Sequence, residues 1–190
     1  MRKIQVCFIL IACLLLGACS NVAPNISAGL FDFSFITYAG EKYDDALKKM
    51  NINADDVSLL DEYNTSRFST NETVSFAGKD FSKYLVFISD ANEKILQGGG
   101  YIASCDKDEN VLPMLKQIQE EISKAVGVPT TYEGLGNRIS ALTDTTNLKD
   151  GKFTEYWDID EKLPYQIRLD FYIHEDMNVI NISCLWHPKR

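Results

Sequence analysis

The sequence predicts an α+β domain, an antiparallel β-sheet covered on one face by helices. Three observations predict it. Residues 152–186 contain three segments in which apolar and polar side chains alternate with period two, the mark of a meander with one apolar side. Strand-like segments also precede residue 106, and between the two sets Val111, Leu115, Ile118, Ile122 and Ala125 recur at helical spacing. The order of elements, a strand and then helix plus three strands twice over, suggests two α-β-β-β halves related by internal duplication.

Leu30 to Tyr38 opens the domain. Phe31, Phe33 and Phe35 alternate there with Asp32 and Ser34, so the segment reads as a strand. Glu41 to Met50 carries Tyr43, Ala46, Leu47 and Met50 at helical spacing. Asn53 to Leu60 reads as a second short helix, capped by Asn53 and with acids in its first turn. Asn64 to Thr73 reads as a polar connection. Strands are then expected at Thr73 to Phe76, Tyr84 to Ser89 and Lys94 to Cys105, with Asp90-Ala91-Asn92-Glu93 turning between the last two. Gly98-Gly99-Gly100 sits inside the third of these. A phosphate-cradling loop would open a helix, whereas Tyr101 to Ser104 continue the strand, so the glycines predict a bulge or a close backbone approach.

The strongest helix runs from Val111 to Ala125, with Asn110 as N-cap, Pro113 tolerated in the first turn and Gly127 at its end. Thr130 to Gly151 is polar apart from Arg138-Ile-Ser-Ala-Leu, which reads as a short helix. Asp150-Gly151 then leads into the closing meander. Phe153, Glu155, Trp157 and Ile159 share one face of its first strand. Tyr165, Ile167, Leu169, Phe171 and Ile173 share a face of the second, and Ile180, Ile182, Cys184 and Trp186 a face of the third.

The first nineteen residues have the parts of a secretory signal. Arg2 and Lys3 are positive, Ile4 to Leu16 is apolar apart from Gln5, and small residues precede Cys19. The apolar run is too short for a hydrocarbon core of about 30 Å. Leu16-Gly17-Ala18-Cys19 resembles the lipobox of bacterial lipoproteins. The resemblance implies cleavage before Cys19, a diacylglyceryl group on its sulfur and a location outside the cytoplasm, on the cell membrane or an outer membrane. More than one acyl chain is needed because a single chain binds a bilayer only marginally. The expected organisation is a signal peptide over 1–18, a lipidated tether over 19–29 and one α+β domain over 30–190. That domain, with its Gly127-Val-Pro-Thr turn after the long helix, is diffusely similar to small helix-and-meander domains of bacterial envelope lipoproteins.

Removing residues 1–18 takes away Arg2 and Lys3 and no acid, so the net charge moves from −8 to −10. So acidic a surface argues against nucleic acid and against electrostatic attachment to anionic lipid, leaving the acyl anchor as the membrane contact. Cys7 and Cys13 leave with the signal and Cys19 carries lipid, which leaves Cys105 and Cys184. An exported compartment permits a disulfide between these two; the alternative is two buried thiols.

Chemical motifs fail on inspection. Asp106-Lys-Asp-Glu-Asn110 begins like a calcium loop, but Val111 stands where the turn needs glycine and Gln117 where a bidentate glutamate belongs. His174 falls in a charged hairpin turn, and Cys184 and His187, three apart on a strand, point to opposite faces. Asn25, Asn64, Asn71 and Asn181 begin N-x-[ST] triplets, chance matches in a bacterial chain. No catalytic motif, metal site or cofactor is expected. The positive lead is the second face of the meander, which carries Tyr156, Arg168, Asp170, Tyr172, Asn181 and Ser183. If Trp157 pairs with Ile167, Tyr156 stands opposite Arg168, and tyrosine and arginine are favoured in protein interfaces. The expected function is a binding or assembly module that engages another envelope protein or a ligand. The alternative is an envelope-polymer hydrolase with two carboxylates in a groove.

Overall fold

The computed structural model describes residues 27–62, 65–90, 93–131, 136–146, 148–160 and 163–186. The lipobox, most of the tether, Asn64 and His187 lie outside the described residues. Two-residue strands β1 (Ser27–Ala28) and β2 (Phe31–Asp32) pair with each other, and a 3-10 turn spans Ser34–Tyr38. Helix α1 (Tyr43–Lys49) and a 3-10 turn at Ala54–Asp56 lead into β3 (Ser58–Glu62), β4 (Thr65–Phe76), β5 (Lys79–Asp90) and β6 (Glu93–Asp106). Helix α2 (Leu112–Val126) and a 3-10 turn at Ile139–Ala141 precede β7 (Lys152–Asp160), β8 (Leu163–His174) and β9 (Met177–Trp186). The protein is thus a mixed α+β fold dominated by antiparallel sheet.

Seven strands form one sheet in the order β3-β4-β5-β6-β9-β8-β7, every neighbouring pair antiparallel. Two meanders, β4-β5-β6 and β7-β8-β9, therefore meet along a single seam between β6 and β9. The three glycines lie on that seam. A β-carbon on Gly100 would stand 2.1 Å from the Ile182 carbonyl oxygen, one on Gly98 2.2 Å from that of Cys184, and one on Gly99 2.4 Å from that of Tyr84. Side chains cannot be accommodated at such an approach. Register also shifts between Val86 and Phe87 opposite Gly98, so bulge and close approach occur together.

The alternating apolar positions of the sheet, with Trp157, Ile167, Leu169, Phe171, Ile180 and Ile182 fully buried, belong to one core cluster with Leu112, Leu115, Ile118 and Ile122 of α2. Each such aliphatic side chain contributes roughly 1.5–3 kcal/mol relative to exposure. Trp157 Nε1 also donates to Ser123 Oγ on α2 at 3.1 Å, which satisfies its one polar atom. Among the described residues no helix is long and apolar enough to cross a membrane.

Three expectations for the first third of the chain are corrected. Leu30 to Tyr38 is not a strand beyond Asp32. The Asp32 carboxylate accepts from the Ser34 backbone N–H and hydroxyl, both at 2.8 Å, and this local turn replaces ladder bonds. Phe31, Phe33, Phe35 and Ile36 are nonetheless all buried, because the wrapped segment turns every one of them inward. Asn53 does cap, accepting from Asp55 N at 3.2 Å, but the helical turn stops at Asp56, and Leu59 and Leu60 lie on edge strand β3, each 51% exposed. Residues 65–73 belong to β4 and are no loop. Phe68 is the one apolar inward residue there; Ser66 and Thr70 fill the neighbouring inward positions, so the alternation is written in small polar residues.

Candidate functional site

The register of the closing meander decides which side chains meet. Trp157 pairs with Ile167, and Tyr156 therefore stands opposite Arg168. Arg168 pairs in turn with Ser183, Asp170 with both Thr154 and Asn181, and Tyr172 with Lys152 and Val179. All six residues picked from the sequence thus share one face of the sheet, alternating with the core positions Trp157, Ile167, Leu169, Ile180 and Ile182. The register carries the row across the seam, from Ser183 to Gly100 and from Gly100 to Tyr84 of β5.

That face is not uniformly open. Tyr156, Arg168 and Tyr172 are half-buried, whereas Asp170, Asn181 and Ser183 are buried. Tyr84 contributes at Asn181. Gly100 leaves no side chain in its way, so the phenol reaches over β6 and donates to Asn181 Oδ1 at 2.7 Å. Burial pushes the Tyr84 pKa up to about 12, against the opposing pull of the Arg67 guanidinium 6.0 Å from its ring. Sequence reasoning missed Tyr84 because its partner lies 97 residues away. The triple glycine was the available signal, since it marks where a neighbour can lie flat across a strand.

Asp170 is the polar centre. Its Oδ1 accepts from Thr154 Oγ1 at 2.6 Å and lies 3.4 Å from Lys152 Nζ, and its Oδ2 lies 2.7 Å from Arg168 Nε. The Arg168 N–H is not aligned for a hydrogen bond, so this contact is an ion pair alone. Ser183 Oγ, one strand over, is buried without a partner. Beside this cluster, at the β7 edge, a cleft of about 250 Å³ is lined by Gly136, Asn137, Lys152, Thr154 and Tyr156. Arginine, lysine and tyrosine around one neutralised carboxylate can hold a polar or acidic surface by charge-assisted hydrogen bonds and flat aromatic contact.

The other buried carboxylate, Glu155, is adjacent in sequence to Thr154 and so points through the sheet to the core side. There it accepts from the Arg138 guanidinium and from Ser140 N at 2.9 Å, which fastens the 138–141 turn onto β7. Asp170 and Glu155 therefore lie on opposite faces of the sheet, each beside at least one cation.

Cys105 and Cys184 are free and buried. Cys184 pairs with Gly99 and Cys105 with Asn178 on the same ladder, six residues apart, a span of roughly 20 Å. The disulfide expectation therefore falls. Burial raises both thiol pKa values, most strongly for Cys184, so the thiolate form is disfavoured. In the calcium-like loop the carbonyls of Asp106, Lys107 and Glu109 converge on Asn178 Nδ2 at 3.1–3.2 Å, so a protein amide occupies the centre of the turn. Among the described residues no group of three histidine, cysteine or acidic side chains is placed to hold a metal, and His174 is exposed at a strand end.

Comparison with protein-family models, with curated proteins and with solved structures finds no match to this chain.

Proposed function

We propose that this chain is a lipid-anchored binding or assembly module of the bacterial cell envelope, held outside the cytoplasm through Cys19 and engaging another envelope protein or a ligand with the second face of its sheet. The observation that carries the binding reading is the arrangement on that face. Tyr156, Arg168 and Tyr172 stand half-exposed over a buried polar floor of Asp170, Asn181 and Ser183. A fixed floor holds the side chains above it in place, and prior ordering lowers the entropic cost of binding. The anchor reading is supported by Leu16-Gly17-Ala18-Cys19 at the end of its apolar run.

Two finer features of the fold belong to the same reading. The helices cover one face and leave the other for the partner; the shared core of α2 with the inward sheet positions supports this. The mirrored order β4-β5-β6-β9-β8-β7 supports two α-β-β-β halves from an ancestral duplication.

Crosslinking in native cells followed by identification of what co-purifies tests the function. Replacing Arg168 and Tyr172 with alanine is expected to abolish the crosslinked species in a protein that still folds, its melting temperature lowered because Asp170 keeps only Lys152 as a nearby cation. Undiminished capture would refute this face. Cys19→Ala is expected to leave the chain unprocessed and without lipid mass, and unchanged processing and membrane partitioning would refute the anchor.

A further inference from the structure

We infer that a second site lies on the opposite side of the sheet, where a cleft recognises a small zwitterion of the α-amino-acid class through Lys83 and Glu72. The cleft, of about 270 Å³, opens between the 3-10 turn at Ser34–Tyr38, the end of α1, and strands β4 and β5. Lys83 alternates with Tyr84 along β5 and so points away from the face described above. Its side chain is only 10% exposed. An ammonium so far from water needs a counter-charge and acceptors for three N–H donors. Glu72 Oε2, at 2.6 Å, supplies one, and among the described residues it is the one side-chain acceptor within hydrogen-bond reach.

The backbone is built to bring Glu72 there. Register slips between Ser69 and Thr73, which makes a bulge of Thr70, Asn71 and Glu72. Thr70, itself buried, pins the bulge: its hydroxyl donates to the Lys83 carbonyl at 3.3 Å and accepts from the Glu72 N–H at 3.2 Å. Bulges re-aim side chains and are over-represented beside functional sites. Lys49, Tyr38 and Asp32 complete the polar wall, with Phe35, Met50 and Ile52 lying behind it and leaving little apolar surface open to the cleft.

The charges select the ligand. A simple anion reaching Lys83 would face the carboxylates of Glu72 and Asp32, and a simple cation reaching Glu72 would face Lys83 and Lys49. A molecule that carries both charges on neighbouring atoms leaves none opposed, with its carboxylate toward Lys83 and its ammonium toward Glu72. The volume falls just below the roughly 300–1,000 Å³ of drug-sized sites, which suits a ligand of this size.

The test is thermal shift and isothermal titration of the purified chain against free α-amino acids, with acetate and butylamine as single-charge controls. At least one small amino acid is expected to raise the melting temperature and to bind, while neither control does. Lys83→Met and Glu72→Gln are each expected to weaken binding by about a hundredfold, the loss that follows truncation of a desolvated charge partner. Glu72→Gln also strips the nearly buried Lys83 of its counter-charge, so circular dichroism checks the fold of that variant, and Glu72→Asp, which keeps the charge but withdraws it by one methylene, is expected to weaken binding in a protein that keeps its fold. The proposal is overturned if no amino acid shifts the melt, if acetate or butylamine shifts it equally, or if Glu72→Gln binds as the wild type does.

Discussion

Glu155 and Arg138 carry the largest single-residue consequence in this fold. Burial alone would raise the Glu155 pKa, but the Arg138 guanidinium and the Ser140 N–H more than reverse this and hold it below the usual carboxylate range. A carboxyl depressed in this way stabilises the fold above its unfolded value of about 4.3 and loses that contribution as pH falls through its folded value. Arg138→Ala leaves a fully buried carboxylate unpaired. It is expected to cost about 3 kcal/mol at neutral pH, the low end for such a loss because Arg138 itself is partly solvated. The deficit should shrink as pH is lowered toward about 4 and Glu155 protonates. Urea denaturation across that range checks both the size and the direction. The inward position of Glu155 is legible from the alternation of Phe153, Glu155 and Trp157. Its partner is not, because a loop laid against a strand edge leaves no period in the sequence.

At the element scale the seam between β6 and β9 is the most constrained feature. Gly100→Ala is expected to destabilise by more than about 2 kcal/mol, because two backbones would have to part to admit a methyl group. Gly136→Ala, where nothing lies within 4 Å of an added β-carbon, is expected to stay within about 0.5 kcal/mol of the wild type. Chemical denaturation of both variants checks the contrast. Among the elements, α1, α2 and the closing meander are legible because mostly apolar side chains mark their inward faces. β4 is not, since Ser66 and Thr70 face inward beside Phe68 and hide the period. The Phe31-Phe33-Phe35 alternation misleads for the opposite reason: a side-chain turn at Asp32 folds a strand-like pattern into a wrapped segment. Of the candidate face, the six outward positions follow from period two, but the Tyr84–Asn181 bond does not, because only the long-range pairing brings Tyr84 near.

For the whole molecule, separated thiols mean that no covalent staple holds the sheet. Reductant is expected to leave the melting temperature unchanged, and Cys105 and Cys184 should react with an alkylating agent in denaturant but not in the folded protein, as mass spectrometry would read. Cohesion rests instead on the core and on pairing across the seam, whose nearest partners, Asp106 and Met177, are 71 residues apart in sequence. β9 is the last of the described strands in the chain and yet lies between β6 and β8. During synthesis, then, β6 and the β7-β8 hairpin wait with bare edges until residues 177–186 emerge to slot between them. The middle of the sheet is completed last, and that waiting interval is when mispairing with other chains is the chief hazard.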